Sequence, residues 1–295
     1  MDAAVLRGQL AALGVRPGDL LVVKASLSAL GPVEGGAKGL LRALLDAVGP
    51  DGTLVTLAFV DCYPVPLSRE HARLVTDERT PSYAGALANV MVGHPAMRRS
   101  RHPIQKFCAI GRLAAELVDN HTPASPAYDV LRRVAELGGR HLKLGPDERV
   151  PGFGTTHVAQ NLLGFRQRLP RRGVMFRDET GAVRLFEANW AGGCSRGFNS
   201  FIPLYERGGA FVGRGRVGDA EASITGMNRT LAIDLEVLAR DPRFFFCNDP
   251  SCYSCRVSWD FSPRTPRWYA ARYVLPPLRA LGLGRLRRAL RGNRG

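Results

Sequence analysis

The sequence predicts an α/β fold: a mixed, largely parallel central sheet flanked by helices, with an inserted antiparallel hairpin. Three observations predict it. Short continuous apolar runs at residues 20–23 (LLVV) and 53–60 (TLVTLAFV) have the character of strands covered on both faces. Between them, residues 37–48 place Leu40, Leu41, Leu44 and Leu45 on one side of a helix, and this strand, helix, strand succession implies parallel pairing through a crossover. Residues 174–177 and 183–187, separated by Asp178, Glu179, Thr180 and Gly181, read as the antiparallel hairpin.

The elements follow in order from periodicity and breakers. Leu6, Leu10 and Leu13 share a face of an opening helix that Gly14 stops, and Pro17, Gly18 and Asp19 turn into the first strand. The loop KASLSALGPVEGG leads from that strand to helix 37–48, and Gly49, Pro50, Asp51 and Gly52 turn into the second strand. Residues 61–80 are polar, turn-rich and too long for a simple connection, a kind of loop that often carries function. Helices are expected at 83–92, 113–118, 127–137 and 227–239, and strands at 104–110 and 141–145. No internal repeat or low-complexity linker divides the chain, so a single domain, or two closely joined lobes, is expected over residues 1–255. A basic, aromatic extension, 256–295, begins where the charge pattern changes.

Composition narrows the function classes. A chain of 295 residues with 45% hydrophobic content can bury a large core and is not a disordered protein. The net charge of +15 comes from 41 Lys+Arg against 26 Asp+Glu, and it is unevenly spread: residues 256–295 hold ten arginines and one acid, Asp260. No apolar leader with a small-residue cleavage site is evident, and no apolar run approaches the roughly 20 residues that span a bilayer. A cytoplasmic location is therefore expected. Six cysteines in such a chain read as reduced thiols or a metal site rather than a disulfide framework.

The stretch with the clearest chemical character is residues 150–161, VPGFGTTHVAQN. Gly152 and Gly154 give the backbone a sharp turn, Thr155 or Thr156 can cap, and His157 falls in the first turn of an apolar helix. The partial positive charge of a helix N-terminus disfavours imidazolium, so the position predicts a neutral, proton-accepting ring suited to general-base chemistry. The alternative is a histidine that satisfies a helix end or packs beside Phe165.

These segments also form a recognisable series. VVKASLSALGPVEGG with the following helix and VGPDGTLV, then TDERTPSYAGAL, RRSRHPIQKFCAIG, ASPAYDVL, the His157 segment and GRVGDAEASI, in that order over most of residues 1–246, resemble the aminoglycoside 3-N-acetyltransferase family. The resemblance implies transfer of the acetyl group of acetyl-CoA to a primary amine of an aminoglycoside or other amino sugar. It implies that His157, matching the family's His-x-Ala-Glu motif, is the general base. It implies too that the loop of Ser26, Leu27, Ser28, Ala29, Leu30 and Gly31 helps hold the coenzyme, as small residues allow close approach of backbone amides. Asp77 stands where the family carries an acidic residue before its Thr/Ser-Pro-Ser stretch, which makes it the candidate for orienting the histidine or binding the amine. His102, in SRHP, matches the family but reads as a structural hydrogen-bond partner.

The departures from the family pattern are Lys24, Asn89, Lys106 and Gln160, which stand where the family has a histidine, a glutamate, a serine and a glutamate. Two carboxylates are lost and two positive charges gained, which disfavours a polycationic acceptor and favours a neutral or anionic amino compound. The same losses leave open a non-catalytic relative that binds an amine or a partner. Cys247, Cys252 and Cys255 have a spacing that can wrap three thiolates around zinc or iron, but a fourth ligand is not evident; Cys194 or a histidine would have to come from elsewhere, and structural thiols without metal are the favoured reading. In the tail, Trp268, Tyr269, Tyr273, Val274, Leu278, Leu281, Leu283 and Leu286 alternate with arginines, as in a segment that lies on an anionic membrane, although packing of Trp268 on the body is the simpler expectation. Nothing resembles a base-reading motif, so no nucleic-acid partner is expected.

Overall fold

The computed structural model describes residues 1–167, 171–188 and 193–280. Helix α1 (Ala3–Leu13) is capped by the Asp2 carboxylate, which accepts from Val5 N at 2.8 Å, and is closed by Gly14 at φ 113°. Strand β1 (Leu20–Ala25), α2 (Gly36–Val48) and β2 (Thr53–Leu57) follow as expected, with β1 and β2 parallel. The polar stretch 61–80 contributes two short strands, β3 (Tyr63–Pro64) and β4 (Val75–Thr76). Next come α3 (Ala86–Val92), β5 (Arg98–Arg99), β6 (Phe107–Gly111), α4 (Ala114–Val118), α5 (Asp129–Glu136) and β7 (Arg140–Leu144). Helix α6 (Thr155–Leu162) carries His157. The expected hairpin is β8 (Arg172–Arg177) with β9 (Val183–Glu187), after which α7 (Ile202–Arg207), β10 (Phe211–Val217), β11 (Ala220–Gly226) and α8 (Met227–Arg240) follow.

The main sheet has the order β10-β11-β7-β1-β2-β6-β5. Parallel pairing is confined to its centre, β7-β1-β2, while β6 runs antiparallel to β2 and β11 antiparallel to β7. The sheet is mixed, and the largely parallel character expected of it holds for these three strands alone. The chain leaves β2 on a long excursion and returns to β6 in the opposite sense, without the helical crossover that parallel pairing needs. The β10–β11 hairpin escapes sequence reading because its first strand, FVGRGRV, exposes glycines and arginines and carries no burial pattern. In the second sheet β8 pairs with β9 on one side and with both β3 and β4 on the other, so the polar stretch 61–80 is bound to the hairpin.

Strand alternation builds two cores. Leu21 and Val23 pack with α1 and α2, whereas Leu20 and Val22 pack with α4 and α5. A third cluster, around Phe153, Phe201, Tyr205, Phe245 and Trp259, joins the region before α6 to the segment after α8. Trp259 is fully buried there, so the packed body runs past the boundary expected at residue 255. Trp268 is also buried and meets Tyr253 edge-on, which favours the packing expectation for the tail; Tyr269, Tyr273, Val274 and Leu278 remain exposed. Leu281, Leu283 and Leu286 lie outside the described residues. No helix among the described residues is long and apolar enough to cross a membrane.

Three histidines are sealed in this fold. His102 accepts backbone N–H groups of Ile104 and Gln105 at Nδ1, His121 stacks on it, and His141 sits on β7 against Phe153. Burial pushes His102 down to about 2, His121 down to about 4 and His141 well below the ordinary value. Because the unfolded chain binds protons near pH 6.5 that the folded rings refuse, their contribution is present above pH 6.5 and is lost as pH falls, at up to about 1.4 kcal/mol per ring per pH unit. Asp234, raised by burial to about 7, acts in the opposite sense across the same window. Three rings outweigh one carboxyl. The melting temperature should therefore fall between pH 6.5 and 4; a midpoint constant over that range would show that the rings are solvated.

Candidate active site

A cavity of about 780 Å³ opens at the C-terminal ends of the parallel strands, where open α/β sheets bind ligands. Lys24 and Ala25 of β1, Thr56 and Leu57 of β2, and the first turn of α6 line it. The glycine-rich turn before α6 is shaped by packing. Gly152 has φ 56° and a Cβ there would lie 2.3 Å from Phe198 Cβ, while a Cβ on Gly154 would lie 2.5 Å from Leu131. Gly152 N donates to Asn199 Oδ1 at 3.0 Å, and Lys24 Nζ donates to the Pro151 carbonyl at 2.7 Å. Neither threonine caps α6 as expected. Thr155 Oγ1 instead donates to Thr230 Oγ1 at 3.1 Å, and Thr156 Oγ1 donates to Asp234 Oδ2 at 3.4 Å, tying the helix start to α8.

His157 is half-buried on the cavity wall, with Tyr128 stacked on its ring at 4.4 Å and Phe198 edge-on at 4.8 Å. Nδ1 lies 2.9 Å from Gln160 Oε1, one helical turn on. An amide oxygen accepts, so this contact puts the ring proton on Nδ1 and leaves a lone pair on Nε2, which makes no hydrogen bond among the described residues. Burial pushes the ring down to about 4, against the hydrogen bond to Gln160, and the Lys24 ammonium adds to the depression. The ring is neutral near pH 7, as the sequence predicts. The largest cause is desolvation, and the Lys24 cation adds to it.

Lys24, Arg149, Arg171 and Arg172 all line the cavity, and no carboxylate does so among the described residues. Arg171 is engaged by Glu187, at 2.6 and 2.7 Å. The other three give their hydrogen bonds to neutral groups: Lys24 to the Pro151 carbonyl, Arg149 to Ser28 Oγ at 2.8 Å, Arg172 to Cys62. Burial and the neighbouring Lys143 push Lys24 down to about 8, which still leaves it charged at pH 7. Gln105 supplies the opposite polarity, since its buried Oε1 has no hydrogen-bond partner and its side chain lines the cavity. His102 presents it by gripping the turn at Ile104 and Gln105, so that histidine has the structural place expected of it.

The structure does not bring Asp77 to His157. Its carboxylate accepts from Arg79 N and Thr80 Oγ1 in a tight turn, and it lines a separate cavity with Lys106. The place expected of it beside the ring is taken by Gln160. Lys106 likewise faces away from the main cavity, and Asn89 braces the turn before α3 by donating to the Ser82 carbonyl. Of the four departures from the family pattern, Lys24 lines the cavity and Gln160 holds its histidine. In the loop of Ser26, Leu27, Ser28, Ala29, Leu30 and Gly31, Ser26 N donates to the Leu144 carbonyl and extends β1, and Arg149 links Ser28 to the cavity rim. Gly31 has φ 76° and a Cβ there would strike Asp219. The cysteines converge beyond what spacing shows: Cys194 joins Cys247, Cys252 and Cys255, with all four sulfurs within 4.8 Å of one another. Arg149, Arg171, Arg172, Gln105, Tyr128 and Asp234 are the site residues that sequence reading misses. Gln105 stands next to Lys106 in the chain, and the fold turns only the glutamine toward the main cavity.

A family model for aminoglycoside 3-N-acetyltransferase matches residues 22–239. Aminoglycoside N(3)-acetyltransferase III of a Salmonella species is 40% identical over 147 residues, which cover 45% of this chain and 51% of that protein, so the chain spans about half the length of these relatives. Aminoglycoside N(3)-acetyltransferase IV, also from Salmonella, is 32% identical over 248 residues, covering 82% of this chain and 89% of the relative. Among solved structures, the aminoglycoside acetyltransferase AAC(3)-IVa apoenzyme has a TM-score of 0.69 at 27% identity, covering 85% of this chain and 93% of that one. A binary complex of AAC-IIIb with CoASH shares the fold, with a TM-score of 0.68 at 24% identity and coverage of 81% and 97%. With a match over most of its length, and a fold shared with solved members, the chain belongs to the aminoglycoside 3-N-acetyltransferase family.

Proposed function

We propose that the protein is an acetyl-CoA-dependent N-acetyltransferase whose acceptor is a neutral or anionic amine, with His157 as general base. The observation that carries this reading is the His157 ring on the wall of the cavity: Nδ1 is held by Gln160, and Nε2 has no partner among the described residues. A solved relative crystallised as a histidine-to-alanine mutant in complex with a gentamicin, and another bound to CoASH, support an amine acceptor and a CoA donor. In the step proposed here the amine nitrogen attacks the thioester carbonyl carbon, the carbon–sulfur bond breaks, and the CoA thiolate leaves. His157 Nε2 takes the proton from the nitrogen and delivers it to the departing sulfur. A ring held near 4 is a weak base, and the proton it takes is that of the N⁺–H formed on attack, which is more acidic than a free ammonium. The loop from Ser26 to Gly31, with Arg149 at its edge, is the proposed holder of the coenzyme.

Acceptor charge follows from the lining. Lys24, Arg149 and Arg172 without a facing carboxylate repel a polycation and attract a phosphorylated or otherwise anionic amino sugar. A non-catalytic relative remains the competing reading; CoA binding without transfer to any amine would select it.

Replacing the base tests the first claim. His157→Ala should lower turnover by roughly a hundredfold to ten-thousandfold, with CoA affinity little changed, because the imidazole acts in the transition state. Wild-type turnover should carry no ionisation near pH 6.5 belonging to this ring, since protonation switches the base off only as pH falls toward 4. An acid limb at pH 6 to 7 that vanishes in His157→Ala would show a solvated ring still acting as the base, whereas a His157→Ala variant that keeps wild-type turnover per folded molecule would overturn the assignment.

Acceptor screening tests the second. kcat/KM for an anionic amino sugar should exceed that for a polycationic aminoglycoside, and added salt should narrow the gap by screening both effects. A polycationic aminoglycoside with the highest kcat/KM of the series would refute the preference.

A further inference from the structure

Four cysteines from two distant parts of the chain meet behind the wall of the cavity. Cys194 precedes a 3-10 turn at Arg196–Phe201, while Cys247, Cys252 and Cys255 belong to the turn after α8. All four sulfurs lie within 4.8 Å of one another, all four thiols are free, and Cys247 and Cys255 are buried. Cys247 Sγ and Cys255 Sγ are 3.7 Å apart. Four sulfurs each about 2.3 Å from a central ion stand about 3.8 Å apart at the corners of a tetrahedron, so this edge already has the length that one metal ion requires. In a polynuclear iron–sulfur cluster some of the four thiolates sit on different irons and stand wider apart than the 4.8 Å that bounds all four here.

The surroundings also suit an ion. Cys247 N donates to Cys255 Sγ at 3.5 Å, an outer-sphere hydrogen bond of the kind that metal-bound sulfurs accept. The Arg256 guanidinium donates to the Cys247 carbonyl at 2.7 Å, which places a positive charge beside the net negative charge of four thiolates around a divalent ion. Asp249 shapes the turn by accepting from Ser251 N and Ser251 Oγ. Between two of the ligands, Ser254 Oγ accepts from Cys194 N at 2.9 Å and so joins the two chain segments a second time.

We propose that Cys194, Cys247, Cys252 and Cys255 bind a single structural zinc ion, and that the ion fixes the cavity wall formed by Gly193, Ser195, Tyr253, Ser254 and Ser258. All of its ligands are cysteines and it keeps no open position, so it takes no part in acyl transfer. Its position explains why a turn-rich segment after α8 holds a defined place opposite His157. The proposal stands whether or not the chain transfers acetyl groups.

Metal analysis of the full-length protein, purified without added metal, should find about one zinc per chain. Replacement by cobalt(II) should give the intense thiolate charge-transfer and visible bands of a tetrahedral all-sulfur site. Cys255→Ser should lose the zinc and lower the melting temperature. Because that variant removes a buried ligand and can fail to fold, Cys194→His is the companion: it keeps four ligands, should retain zinc, and should weaken the cobalt charge-transfer band. Full-length protein with no metal and four thiols that titrate freely, or with these cysteines joined as disulfides, would overturn the proposal. So would a red protein carrying iron in place of zinc.

Discussion

The site depends on a carboxylate buried in the core. Asp234 of α8 is inaccessible to solvent and accepts from the Tyr205 hydroxyl and from Thr156 Oγ1, while Thr230, one turn earlier, accepts from Thr155 Oγ1. A carboxyl in that setting is stable because its hydrogen bonds are made, and because the first turn of α6 presents the positive end of a helix. Burial nonetheless outweighs the hydrogen bonds and raises its pKa to about 7. The result is a polar pin joining α6, α7 and α8 through otherwise apolar surroundings. His157 follows the pinned threonines directly, so the place of its ring is set by a residue far along the chain that lines no part of the cavity. Loss of the carboxyl alone would leave the Tyr205 hydroxyl and Thr156 Oγ1 buried without their partner, which costs on the order of 1–3 kcal/mol for each group.

Lys24 couples the sheet to this arrangement. It lies at the end of β1, opposite Lys143 on β7, and its ammonium reaches across to the Pro151 carbonyl in the turn that precedes α6. The same charge lowers the proton affinity of His157. One side chain thus helps hold the loop in shape, adds to the burial that keeps the ring neutral, and gives the cavity floor a positive charge. Arg149 and Arg172 carry that sign around the rim. Position and electrostatics are linked, because a neutral residue at 24 would release the loop and raise the basicity of the ring together.

What was legible in the sequence follows from how local each signal is. Leu6, Leu10 and Leu13, the LLVV run and the leucines of α2 announce their elements because burial on one face is written in neighbouring residues. The His157 helix was legible for the same reason. Strand order beyond β1 and β2 was not, since the direction of β6 depends on where a long excursion returns. The cavity was half visible. His157 stands in a local motif, but Arg171, Arg172 and Gln105 come from separate strand ends and turns, and nothing in their own neighbourhoods distinguishes them from surface residues. Asp77 was misplaced by position in a motif: a carboxylate in TDERTPS is satisfied by its own turn, through Arg79 N and Thr80 Oγ1, and needs no histidine. The fourth cysteine is invisible to spacing because Cys194 lies far before Cys247 in the chain and reaches it only through the folded third core.

Lys24 and Gln160 are two of the four departures from the family pattern, and together they are chemically consistent. A glutamate at position 160 would accept the Nδ1 proton as Gln160 does, fixing the same tautomer, but its charge would stabilise imidazolium and raise the pKa of the ring. The amide, with its oxygen turned to Nδ1, holds the same tautomer without that charge. A lysine at 24 pushes further in the same direction, so both substitutions favour a neutral ring and both remove negative potential from the cavity. If the substrate were a polycation the two changes would each work against binding, and a carboxylate elsewhere on the lining would have to compensate. Among the described residues none does. On the proposed reading the two substitutions suit an acceptor that carries little positive charge beyond its reacting amine. For such an acceptor a neutral, weakly basic imidazole beside a lysine keeps the lone pair available and adds no further cation to the site.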